Sequence, residues 1–174
     1  MGYNQFIETF TSVCRDHQKK GRARIFAFVF YDMAHGLIRA ALKQANGFQR
    51  LHEKTGRDVT LFYLHDSAAF DHCQQFNLTF MSALGVKGQA EVPCMVFFHV
   101  DDEDIKDASI YAIDEKSTDS VLIIAELEEY VDSAIRALNA EGDLSGLTFL
   151  GKAVTKLDCL VKFSELLLKL KGAA

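Results

Sequence analysis

The stretch ALGVKGQAEVPCMVFFHV, residues 83–100, carries the only proline of a 174-residue chain. That proline, Pro93, stands directly in front of the most apolar run. Gly85 and Gly88 mark a turn ahead of it. From Cys94 to Val100 apolar residues follow one another almost without a polar break, which predicts a strand covered on both faces. Proline has no backbone N–H, so it is tolerated at the first residue of a strand and not in its interior. Pro93 therefore marks where this strand begins.

Upstream, Ile25-Phe26-Ala27-Phe28-Val29-Phe30-Tyr31 is a second continuous apolar run, again predicting a central strand. A helix follows from about Met33, with Leu37, Ile38, Ala41, Leu42 and Ala45 on its buried stripe. Asn46-Gly47 interrupts it, Phe48, Leu51 and His52 resume it, and Gly56 closes it. Val59 to Leu64 reads as the next strand. Two strands separated by about 25 helical residues make a βαβ unit, with parallel strands and a right-handed crossover. Residues 3–20 form a leading helix on Tyr3, Phe6, Ile7, Phe10, Val13 and Cys14, ended by Gly21. Asp66 or Ser67 caps a further helix that runs to Leu84.

Downstream, the acidic loop Asp101-Asp102-Glu103-Asp104 leads to a strand over Ala108–Ile113, predicting a hairpin. Val121, Ile124, Leu127, Val131, Ala134 and Leu138 recur at helical steps. The alternative at Val121–Ala125 is a short edge strand. A final amphipathic helix is expected over residues 149–170, with Asp158–Lys162 and Glu165–Lys169 as i,i+4 pairs. Leu157, Leu160, Val161, Leu167 and Leu168 would form its apolar side.

The element order is α-β-α-β-α-β-β-α-α. With the turn and hydrophobic-proline pair of residues 83–100, it resembles the thioredoxin-like fold. The resemblance implies a three-layer α/β/α sandwich with a mixed four-stranded sheet. It spans about residues 22–140 of a single domain, 1–174, with helical additions at 3–20 and 149–170. It also implies that Pro93 is the family's cis-proline. One departure is decisive for chemistry. Where thioredoxins carry Cys-Gly-Pro-Cys, this chain has FYDMAHGLI, with Met33 and Gly36 in the cysteine positions. Dithiol redox activity is therefore not expected.

In this topology the carboxyl ends of the first two strands and the amino end of the third share one edge, where α/β sheets bind ligands. The edge gathers Tyr31, Asp32, Met33 and His35, then His65 and Asp66, then Val92, Pro93 and Cys94. The leading expectation is a non-catalytic adaptor or chaperone-like module. A protein or peptide segment would pair with the Val92 backbone beside Pro93, and Tyr31, Asp32, Met33 and Asp66 would line the contact. The rival is a single-thiol enzyme of glutathione or mixed-disulfide type. There Cys94 is the nucleophile, with His35 or His65 lowering its pKa or acting as base. A third reading is an oligomer, a homodimer through the terminal helices.

Composition narrows the field. Net charge is −5 and the pI about 5.6, which disfavours nonspecific nucleic-acid binding. Lys19-Lys20-Gly21-Arg22-Ala23-Arg24 runs against that trend. It reads either as cations complementing a helix C-terminus or as a phosphate site. His65, Asp66, Asp71, His72 and Cys73 are donor-rich but lack metal-site spacing, so no metal is expected. No glycine-rich phosphate loop or nucleophile elbow occurs, and no cofactor is expected. The four cysteines form no CxxC, and no apolar stretch approaches the ~18 residues of a membrane span. A basic, apolar leader is also missing from Met1–Gln5. A reducing cytoplasm is the expected compartment.

Overall fold

The computed structural model of the protein describes residues 3–20, 25–32, 34–44, 46–63, 70–101, 104–114, 119–142, 144, 147, 155–157 and 161–172. Strand β1, Ile25–Phe30, is buried at every position. The reason is its place between β2, Val59–Tyr63, and β3, Cys94–Asp101. β1 runs parallel to β2, with Ile25 opposite Val59. It runs antiparallel to β3, with Phe30 opposite Cys94. β4, Asp104–Ala112, forms the hairpin with β3 and brings Ala112 opposite Cys94. The sheet is thus mixed, in the order β2-β1-β3-β4. The fold class is α/β, as the sequence leads one to expect.

Helices cover both faces of this sheet. On one face lie α1 (Tyr3–Lys19), α4 (Phe70–Ala83) and α6 (Phe163–Gly172). On the other lie α2 (Gly36–Gln44), α3 (Gly47–Thr55) and α5 (Ser120–Glu141). Alternation along β1 sends Phe26, Phe28 and Phe30 to the first face, and Ile25, Ala27 and Val29 to the second. The phenylalanines make the first core. Phe28 lies 4.5 Å from Phe80 and 5.4 Å from Phe10, centroid to centroid, in tilted and edge-on contact. The second core is mainly aliphatic, with Phe48 and Phe97 among its members and Tyr111 stacked on Tyr130 at 4.4 Å near β4.

The break between α2 and α3 falls where the sequence suggests. Asn46 adopts a left-handed φ of 52°, which asparagine tolerates better than most residues. Gly47 then sits under α5. A Cβ there would stand 2.5 Å from the Ala41 carbonyl oxygen and overlap the Ile124 side chain. α5 is one continuous helix through Val121–Ala125, not an edge strand. The Asp119 carboxylate accepts the Val121 amide at 2.8 Å, and the amide of Gly142 closes the far end on the Leu138 carbonyl. Its buried stripe begins at Ile123, so Val121, placed on the stripe by periodicity, is instead exposed.

The C-terminal region differs from expectation. Among the described residues, the helix expected over 149–170 is present only as α6, Phe163–Gly172. Ahead of it, Thr155–Leu157 (β5) and Val161–Lys162 (β6) pair antiparallel with β4. The physical reason is the outer edge of β4, whose unpaired N–H and C=O groups offer hydrogen bonds to any adjacent chain. Thr155 and Val161 are β-branched and suit that pairing. Asp158 lies outside the described residues, and Lys162 sits in a strand instead of the expected helix. The buried side of α6 is Leu166, Leu167 and Leu170, while Leu168 is exposed. Both terminal helices bury their stripes in the phenylalanine core of their own chain.

Candidate functional site

Pairing of Phe30 with Cys94 brings the exit of β1 beside the entry of β3. Tyr31, Asp32 and His35 therefore share one edge with Val92 and Pro93. The Val92–Pro93 peptide bond is cis. The carbonyl oxygen of Pro93 accepts the Ile113 amide at 3.0 Å, tying the entry of β3 to the residue after β4. Val92 is half-buried, and among the described residues its backbone makes no hydrogen bond. Tyr31 is held by a buried bond that sequence reading missed. The Asn77 amide on α4 donates to the Tyr31 carbonyl oxygen at 2.9 Å. An asparagine at a position shared with an apolar helical stripe was the available signal, since buried amides are retained with partners.

Asp32 and His35 form a compact turn at the start of α2. The Ala34 amide donates to Asp32 Oδ1 at 2.7 Å, the local side-chain bond that makes aspartate a turn and cap residue. His35 Nδ1 lies 2.8 Å from Asp32 Oδ1 and 3.0 Å from the Asp32 backbone nitrogen. Either state of the ring finds a partner. With a proton, Nδ1 donates to the carboxylate; without one, it accepts the amide. The side chains are 12% and 23% exposed for His35 and Asp32 respectively. The arrangement holds an imidazole in one orientation at the edge.

Cys94 is at the same edge but in a different environment. It is fully buried, on the phenylalanine face, and burial pushes its thiol up to about 12. α2, which His35 introduces, packs on the opposite face. A reactive thiol needs access and a depressed pKa. The nucleophile expectation for Cys94 with His35 draws no support from this placement, which is that of a packing residue. Cys14 is likewise buried in the same core, and its thiol is pushed up by the same cause.

Met33, His65 and Asp66 lie outside the described residues. Of the expected site residues, the structure thus gathers Tyr31, Asp32, His35, Val92 and Pro93, and turns Cys94 inward. Among the described residues, no three histidine, cysteine or acidic side chains gather as a metal would need. No described helix is long and apolar enough to cross a membrane. Comparison of the chain with family models, curated proteins and solved structures gives no match.

Proposed function

We propose that this chain is a thioredoxin-like binding module without thiol–disulfide chemistry. It would bind an extended segment of a protein or peptide along Val92, beside Pro93. The observation that carries the reading is the Val92 backbone: half-buried at a sheet edge and making no hydrogen bond among the described residues. A peptide laid alongside would gain main-chain hydrogen bonds there, and alternate side chains would supply specificity. Tyr31 and Asp32 flank that position, and Met33, by its place in the sequence, would add an adaptable apolar contact. The element order and the position of Pro93 support the family assignment. Two buried free thiols suit a reducing compartment such as the cytoplasm.

The test is an array of extended peptides, followed by a ¹⁵N amide-shift map with the best binder. Shifts are expected at Val92, Asp32, His35 and Ile113. Shifts confined to α5 or to the α1–α6 side would overturn the placement.

A further inference from the structure

A groove of roughly 340 Å³ runs between the two terminal helices, well within reach of a small ligand. Its α1 wall carries Glu8, Ser12, Arg15, Asp16 and Lys19 over a floor at Thr11, and α6 contributes Lys171. Two of these groups are already committed. The Thr11 hydroxyl donates to the Ile7 carbonyl at 2.7 Å, so it has no proton to offer. Asp16 is paired with Lys20 at 2.7 Å, and that hydrogen bond and charge hold its carboxyl below the usual range. Lys20 does not line the groove, so the cation paired with Asp16 is not one of the groove's own. Arg15, Lys19 and Lys171 remain, and none of them joins an ion pair among the described residues.

The helix dipole explains Lys19 and Lys171 singly, since each is in the last turn of its helix. It does not explain why both converge with Arg15 in one concavity. Arg15 and Lys19 are four residues apart on one helix face, a like-charge spacing that disfavours a helix. Three full positive charges also outweigh the opposing half-charges of two helix ends. Beneath them Ile7, Phe10 and Cys14 share one buried core with Leu166, Leu167 and Leu170, so the two helices that carry the cations are packed on the same core.

We infer that this groove binds a small phosphomonoester, with its phosphoryl group among Arg15, Lys19 and Lys171. Arg15 offers a planar fork of donors to phosphoryl oxygens, the two lysines act as point charges, and Ser12 adds a hydroxyl. Three cations exceed what a monocarboxylate would neutralise. Glu8 gives the ligand its direction. It stands seven residues before Arg15 on α1, roughly 10 Å along the axis at ~1.5 Å per residue. It repels the phosphoryl end and accepts from a hydroxyl or ammonium at the far end. Lys19 also opens the basic run that the sequence offered as a phosphate site. This site is independent of the peptide-binding edge.

The experiment titrates the whole chain with inorganic phosphate and with phosphoethanolamine at physiological salt, read by ¹⁵N amide shifts. Saturable shifts are expected at Ser12, Arg15, Lys19 and Lys171, with phosphoethanolamine the tighter ligand. Arg15→Gln and Lys171→Gln should each weaken it by about tenfold, the loss of one charge-assisted hydrogen bond. Glu8→Gln should remove the preference for phosphoethanolamine over inorganic phosphate. All three residues line the groove surface, and circular dichroism verifies that each variant folds. If one does not, the remaining two decide. Non-saturating shifts overturn the inference, as does saturable binding that Arg15→Gln and Lys171→Gln leave unchanged. Binding only to vesicles containing phosphatidic acid, with no response to the soluble esters, overturns the assignment to a free ligand.

Discussion

Asn77 and Cys94 show how much depends on the direction of one side chain. Asn77 reaches from α4 to the Tyr31 carbonyl, a buried acceptor at the exit of β1. Asn77→Ala would remove that buried hydrogen bond. The expected loss is about 0.5–1.5 kcal/mol in urea unfolding. Amide shifts should also move at Asp32 and His35, which follow directly. A stability loss without movement there would show that the bond does not position the edge. Cys94 was legible as an edge residue because Pro93 marks the start of β3. That it points inward was not legible, since a run buried on both faces has no alternation from which to read direction.

At the scale of elements, Gly47 tests local propensity against packing. Glycine to alanine in a helix ordinarily gains about 0.5–1 kcal/mol. Here the added carbon would meet the Ala41 carbonyl and Ile124, and such crowding costs about 1–3 kcal/mol. Packing should win, so Gly47→Ala should lower the urea midpoint. A raised midpoint would mean that α3 can move off α5 without loss. The same contest explains α6. Leucine spacing over 149–170 satisfies a helical pattern, but the free edge of β4 captures Thr155–Leu157 and Val161–Lys162 as strands. No local pattern reports a vacant strand edge contributed from some 50 residues away, at Ala108 opposite Leu157.

The molecule as a whole should be sensitive to alkali. Burial raises the pKa of Cys14, Cys94, Tyr111 and Tyr130, the last helped by its hydrogen bond to Glu126. The unfolded chain then loses these protons before the folded chain does. Their stabilising contribution is complete below the unfolded values, ~8.5 for a thiol and ~10 for tyrosine. It declines as pH rises through the folded ones. For Cys94 the window runs from ~8.5 up to about 12. Each such group contributes a slope of at most about 1.4 kcal/mol per pH unit. Urea unfolding at several alkaline pH values should show falling stability, and Cys94→Ala should flatten the slope. An unchanged slope would mean that the thiol already ionises in the folded state.

From the sequence alone came the α/β class, the parallel β1–β2 pair, the β3–β4 hairpin, the α2–α3 break and the edge where Tyr31, Asp32, His35, Val92 and Pro93 meet. Periodicity, glycine and proline are local signals, and these features follow from local rules and chain order. Tertiary structure alone decided the inward turn of Cys94, the Asn77–Tyr31 bond, the capture of residues 155–157 and 161–162 by β4, and the basic groove between α1 and α6. Each of these joins parts of the chain far apart in sequence, and their energies exist only once the two sheet faces are packed.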